Sequence, residues 1–169
     1  MGWVKLVALD LDGTLWDCED VSLLDPPFRR VGDGVVADSR GREVRVREGA
    51  EGFLRWCVGR GVILATLSWN DATKALAVLR LLGLLKYFRY HAIEYHPRKH
   101  EMLLKLLSRL RADGVVRPDE VVYVDDRDLH VGDILRWVGL LGSFTSGLMW
   151  QGLTSCGSFL RTSSEVRRG

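Results

Sequence analysis

Two carboxylates, Asp10 and Asp12, stand one residue apart at the end of the apolar run Val4-Lys5-Leu6-Val7-Ala8-Leu9. A run of that length and character reads as a buried strand. Residues i and i+2 of a strand point the same way, so both acids emerge together at its C-terminal tip. Open α/β sheets keep their sites at that edge. Gly13-Thr14 breaks the strand at once. Acids buried at a strand tip are costly unless something pairs with them, and a bound cation answers that need. A second pair, Asp125-Asp126, closes another apolar run, Val121-Val122-Tyr123-Val124. Between the pairs, Ser68 follows the run Val62 to Leu67, and Lys99 opens a helical pattern after Tyr90 to Tyr95. In a parallel sheet these strand ends converge on one edge. Carboxylates supply a nucleophile and oxygen ligands, while a hydroxyl and an ammonium hold phosphoryl oxygens. Trp69 and Asn70 follow Ser68 at an expected helix N-terminus, where free N–H groups favour an anion.

The elements that must position these residues follow from periodicity. Strands are expected over residues 3–9, 62–67, 90–95, 121–124 and 140–145, and helices over 48–60, 71–82, 98–111 and 128–138. Asn70 or Asp71 caps the second helix. Alternating strands and helices imply an α/β fold: a three-layer, Rossmann-like parallel sheet of about five strands. One domain, residues 1–169, accounts for the length. Residues 17–33, with Pro26-Pro27, read as an irregular loop, and 34–47 as a β-hairpin turning at Asp38-Ser39-Arg40-Gly41. This flap, about 17–47, stands in place of a large cap. It is expected to cover the phosphoryl group, with Trp16 and Phe28 lining the approach. Val44 and Val46 would pack inward and Glu43, Arg45 and Arg47 would face out. The Gly/Ser-rich segment 146–169 is expected to hold loops, one helical piece over 154–161 and a frayed end.

Asp10-Leu11-Asp12-Gly13-Thr14 resembles the D-x-D-G-T motif that opens the haloacid dehalogenase superfamily of phosphotransferases. Trp16 and Asp25-Pro26-Pro27-Phe28 resemble its magnesium-dependent phosphatase branch. The later residues keep the superfamily's order: a Ser after strand two, a Lys at a helix start, then the late acid pair. The resemblance covers residues 4–145. It implies magnesium-dependent hydrolysis of a small-molecule or protein-borne phosphomonoester, a sugar phosphate or a phosphotyrosine, through an aspartyl phosphate on Asp10. It implies that Asp12 is general acid for the leaving group and then general base for water. The Asp10 carboxylate, the Asp12 backbone carbonyl and Asp126 would ligate Mg2+, with Asp125 binding directly or orienting a metal water. Ser68, Trp69, Asn70 and Lys99 would hold the phosphate. Two departures stand out: His130 lies where the branch tends to have Asn, and Arg98 adds a cation beside Lys99.

Composition narrows the setting. Hydrophobic content of 47% and charged content of 27% fit an ordinary globular domain. A net charge of +2 gives no footprint for nucleic acid. No apolar run spans a bilayer and no basic-then-apolar leader opens the chain, so a soluble, cytoplasmic protein is expected. Three cysteines without metal spacing fit reduced thiols. Asn70 and Gln151 are the only side-chain amides, a thermophilic leaning. Nothing here sets an oligomeric state or names the substrate. Two other functions stay open: a receiver-like signalling domain and a non-catalytic phosphate- or partner-binding member. A receiver carries its phospho-acceptor on the third strand, and Tyr95-His96-Pro97 offers no acid there. His91, His96 and His130 are isolated and are not expected to be ligands.

Overall fold

A computed structural model describes residues 4–112, 114, 116–138 and 142–145. The first apolar run forms β1 (Leu6–Leu9), buried along its whole length. There follow β2 (Arg29–Gly32), β3 (Val35–Ala37), β4 (Glu43–Arg45), α1 (Ala50–Gly59), β5 (Ile63–Trp69), α2 (Ala72–Leu81) and β6 (Tyr90–Glu94). The chain continues with α3 (Lys99–Ala112), β7 (Val121–Asp125), α4 (Val131–Val138) and β8 (Gly142–Thr145).

β1 lies at the centre of a five-stranded sheet ordered β6-β5-β1-β7-β8, and every neighbouring pair is parallel. Leu9 is level with Thr66 on one side and Val124 on the other, so the residues that follow each strand reach one edge together. Strand alternation divides the core. Val7, Leu9, Leu64, Val122 and Val124 pack with Phe53, Leu54 and Cys57 of α1 and Ala75, Val78 and Leu79 of α2. Leu6, Ala8, Ala65, Leu67, Val121 and Tyr123 pack with the Met102, Leu103, Leu106, Leu107 and Leu110 stripe of α3 and with Ile134 and Val138 of α4. The three-layer α/β architecture is the expected one. Asp71, rather than Asn70, caps α2: its Oδ1 accepts the Lys74 N–H at 3.1 Å. Among the described residues no helix is long and apolar enough to cross a membrane.

The flap differs from expectation. Residues 17–33 are not wholly irregular: Val21–Leu23 makes a 3-10 turn, and β2 pairs antiparallel with β3, giving a three-stranded sheet β2-β3-β4. All four residues of β2 are exposed, so no burial period marks it, and only pairing with β3 defines it. The expected hairpin is present, β3 against β4, and the wholly buried Asp38 holds its turn. Asp38 accepts the backbone N–H groups of Asp25, Arg40 and Arg42 and the Arg42 side chain. Val44 is buried and Arg45 pairs with Glu43 in solvent, as the alternation requires. Residues 128–138 begin as a 3-10 turn, Asp128–His130, before α4. The helical piece expected over 154–161 lies outside the described residues.

Candidate active site

The pairing of β1 runs one residue past the strand: the Asp10 N–H donates to the Val124 carbonyl at 2.9 Å. The chain then folds tightly, with the N–H groups of Thr14 and Leu15 both donating to the Leu11 carbonyl. Gly13 sits at φ +68°, and a Cβ there would lie 2.5 Å from Asp126 Oδ2. The turn and the close approach of the carboxylate both require glycine. Arg47 is exposed, as expected, and also donates from Nε to the Gly13 carbonyl at 2.6 Å. Trp16 bridges Val46 in antiparallel fashion. The end of the flap is therefore fastened to the acid-bearing turn.

Oxygens of Asp10, Asp125 and Asp126 lie within 4.8 Å of one another. Lys99, 1% exposed as the first residue of α3, places its Nζ 2.9 Å from Asp10 Oδ1 and 2.6 Å from Asp125 Oδ2. The Tyr123 hydroxyl also donates to Asp125. Thr14 Oγ1 lies 3.4 Å from both Asp10 and Asp126. Burial pushes the Asp10 carboxyl up to about 6, against the pull of Lys99. Asp125 is also buried, yet the Lys99 ammonium and the hydrogen bonds from Lys99 and Tyr123 hold it below the usual range. Burial and the neighbouring Asp125 raise Asp126. Three carboxylates against one buried ammonium leave an excess of negative charge in a place that disfavours it. An all-oxygen donor set with that excess fits a hard divalent cation. His130 is buried, but among the described residues it is not part of this cluster.

Asp12 is held separately. Trp16 Nε1 donates to its Oδ1 at 2.8 Å and Asn70 Nδ2 to its Oδ2 at 2.6 Å. The Val21 N–H reaches the two oxygens at 3.3 and 3.4 Å. Burial pushes the Asp12 carboxyl up to about 7, against the Trp16 hydrogen bond. Trp16 therefore does not line an approach: it is fully buried, because its ring completes the core and its N–H needs an acceptor there. Asn70, expected to hold phosphate, turns its amide N–H onto Asp12.

Ser68 is buried beside Asn70 and its Oγ has no hydrogen-bond partner, the one such buried side-chain atom among the described residues. A hydroxyl in that state costs about 1–3 kcal/mol unless a ligand meets it. Trp69 is half exposed and, with Asp12, Glu19, Asp20, Ser22, Tyr95 and Arg127, lines a cleft of about 120 Å³. No residue of the hairpin and neither Trp16 nor Phe28 lines it, so its wall is the 19–22 segment ahead of the flap sheet. The sequence reading missed Trp16 and Asn70 as partners of Asp12. It also missed Glu19, Asp20, Tyr95 and Arg127 around the cleft. Tyr95 was the most legible of these, since it ends a strand beside Trp69.

Known proteins resemble this chain in sequence and in fold. The chain is 29% identical to human magnesium-dependent phosphatase 1 over 133 residues, which is 78% of this chain and 73% of that protein. A HAD-superfamily hydrolase from Geobacter sulfurreducens superposes with a TM-score of 0.58 at 21% identity, covering 82% of this chain and 88% of the other. The N-terminal part of a Bacteroides fragilis protein, containing a phosphatase domain complexed with Mg, superposes with a TM-score of 0.59 at 18% identity. That match covers 92% of this chain and 40% of the other. The two structural likenesses bear out the haloacid dehalogenase fold suggested by the first motif. Residues 3–151, which contain the whole acidic edge, match the acid phosphatase family model, and the chain belongs to that family.

Proposed function

We propose that this chain is a magnesium-dependent phosphatase that hydrolyses phosphomonoesters through an aspartyl phosphate on Asp10. The observation that carries the reading is Asp10 itself. It is a buried carboxylate set between Lys99 and an acidic cluster, on the same sheet edge as an unpartnered Ser68 hydroxyl. Asp10, the Asp12 backbone carbonyl and Asp126 would hold Mg2+, with Asp125 beside them, and the ion offsets the clustered charge of carboxylates and phosphoryl oxygens when bound.

The residues divide the work. An Asp10 carboxylate oxygen attacks phosphorus, and the bond from phosphorus to the leaving oxygen breaks. Asp12 gives its proton to that oxygen. The Asp12 carboxylate then takes a proton from water as the water oxygen attacks phosphorus. The bond to Asp10 breaks and inorganic phosphate leaves. A carboxyl near 7 serves both halves of that cycle. Lys99 holds Asp10 in place and offers charge to the phosphoryl group, and Ser68 donates its free hydroxyl. The half-exposed Trp69 and exposed Tyr95 give the leaving group an aromatic wall, open enough for a small molecule or a protein-borne ester. The chain acts as a single domain in the cytoplasm, a setting that the free Cys18 thiol fits.

Hydrolysis of 4-nitrophenyl phosphate with magnesium and with a chelator tests the reading. Steady turnover that the chelator stops is expected. A single stoichiometric labelling without turnover would point to a receiver, and no chemistry at all to a binding protein.

A further inference from the structure

We infer that Trp16 and Asn70 are positioning residues that fix the direction in which Asp12 delivers its proton. The inference rests on the acid–base reading of Asp12 given above. The donors come from separate parts of the fold: Trp16 from the turn after β1, Val21 from the 3-10 segment, and Asn70 from the residue after β5. Trp16 holds one carboxylate oxygen and Asn70 the other. Rotation about the Cβ–Cγ bond would break both contacts at once. Neither partner can follow, because Trp16 is fully buried and Asn70 is 1% exposed. The orientation of the Asn70 amide is set as well. Its Oδ1 accepts the Asp71 N–H at 2.8 Å, so the NH2 group must face Asp12.

The consequence follows from donor chemistry. An indole N–H and an amide N–H donate and cannot accept. When Asp12 carries a proton, its O–H cannot point at either of them and must use a lone pair directed elsewhere. Asp12 borders the cleft lined by Trp69, Tyr95 and Arg127, where a leaving group would stand. The two donors therefore leave the proton one productive direction, along which it passes to the leaving oxygen as the bond from phosphorus to that oxygen breaks. A merely structural role would have Trp16 satisfy its buried N–H on any nearby acceptor, with no bearing on which esters are cleaved.

Leaving-group dependence separates the two cases. A poor leaving group, such as the alkoxide of an alkyl phosphate, needs the proton, whereas 4-nitrophenolate departs nearly without it. Trp16→Phe and Asn70→Leu keep most of the packing and remove one donor each. In each, kcat/KM, which reports the step that cleaves the ester and not the later hydrolysis of the aspartyl phosphate, should fall about tenfold or more further for the alkyl phosphate than for 4-nitrophenyl phosphate. Because Trp16 is fully buried, 3-benzothienylalanine at position 16 provides the same test with the ring shape intact. Equal losses of kcat/KM on both esters, or none on either, in variants that fold and bind magnesium would overturn the inference. Asp12→Asn is the control. If it too lowers kcat/KM for both esters equally, the general-acid reading of Asp12 fails. If it alone shows the steep dependence, only the positioning roles fail.

Discussion

Alanine at position 13 should damage magnesium binding far more than it damages the fold. Gly13 has φ +68°, a left-handed conformation that costs an L-residue about 1–2 kcal/mol. In a chain of this size each kcal/mol lowers Tm by roughly 2–4 °C, so the backbone term alone predicts a loss of about 2–8 °C. The second effect is local. The new Cβ would stand 2.5 Å from Asp126 Oδ2 and 2.8 Å from its Cγ, closer than unbonded atoms approach. The Asp126 side chain is 28% exposed and can turn toward solvent, so relieving the clash costs little stability. It takes one acid out of the cluster of Asp10, Asp125 and Asp126, and magnesium affinity should fall at least about tenfold. Gly41 supplies the control. Its φ is +83° and nothing lies within 4 Å of a Cβ built on it. Gly41→Ala should lose a similar Tm while keeping wild-type magnesium affinity. Titration calorimetry of the two variants, with thermal melts of the metal-free proteins, makes the comparison. Equal magnesium Kd values for Gly13→Ala and Gly41→Ala would refute the reasoning.

Lys99→Met should strip Asp10 and Asp125 of their shared cation, costing about 3–5 kcal/mol in metal-free protein. Saturating magnesium should return part of that loss, and an unchanged metal-free Tm would contradict the pairing. Ser68→Ala removes a buried hydroxyl that has no partner, so Tm should hold or rise while KM for a phosphomonoester increases. A clear drop in Tm with KM unchanged would show that the hydroxyl serves the fold instead. Folded-state carboxyls near 6 for Asp10 and near 7 for Asp12, against an ordinary 3.8, mean that these two sites take up protons on folding. Their contribution is fully present below about 3.8 and is lost as pH rises through 6 to 7. Chelated protein should therefore melt lower at pH 8 than at pH 5.5, where a rising Tm would contradict the assigned burial.

Much of the fold was legible because its central strands are apolar runs that stop at acids. Val4 to Leu9 and Val121 to Val124 could only be buried, and the residues after them could only be at an edge. The stripe of α3 placed Lys99 for the same reason: Met102, Leu103 and Leu106 fix the face that the helix buries. The flap was harder to read, since Arg29-Arg30-Val31-Gly32 is exposed and becomes a strand only by pairing with β3. The partners of Asp12 were hidden by distance in sequence. The Asn70 amide meets a carboxylate 58 positions away. Trp16 lies only four positions on from Asp12, but the turn that brings its N–H back is set by three-dimensional contacts. Trp16 stands out in the sequence for its place after the first motif and Asn70 for its place at a helix start, and neither signal points to the hydrogen bond that each makes to Asp12.

The central place of β1 also bears on how the protein is made. Its neighbours are residues 63–66 on one side and 121–124 on the other. A chain emerging from the ribosome can pair the first side early, but the second becomes available only after residues 121–124 have left the exit tunnel. Until then the strand that delivers Asp10 presents an open, apolar edge, the kind that pairs with other chains. During the same interval Asp125 and Asp126 are missing, so the acid cluster does not exist. Nascent chains stalled before residue 121 should therefore aggregate, and magnesium should do nothing to protect them. The ion becomes a stabiliser only once β7 has docked.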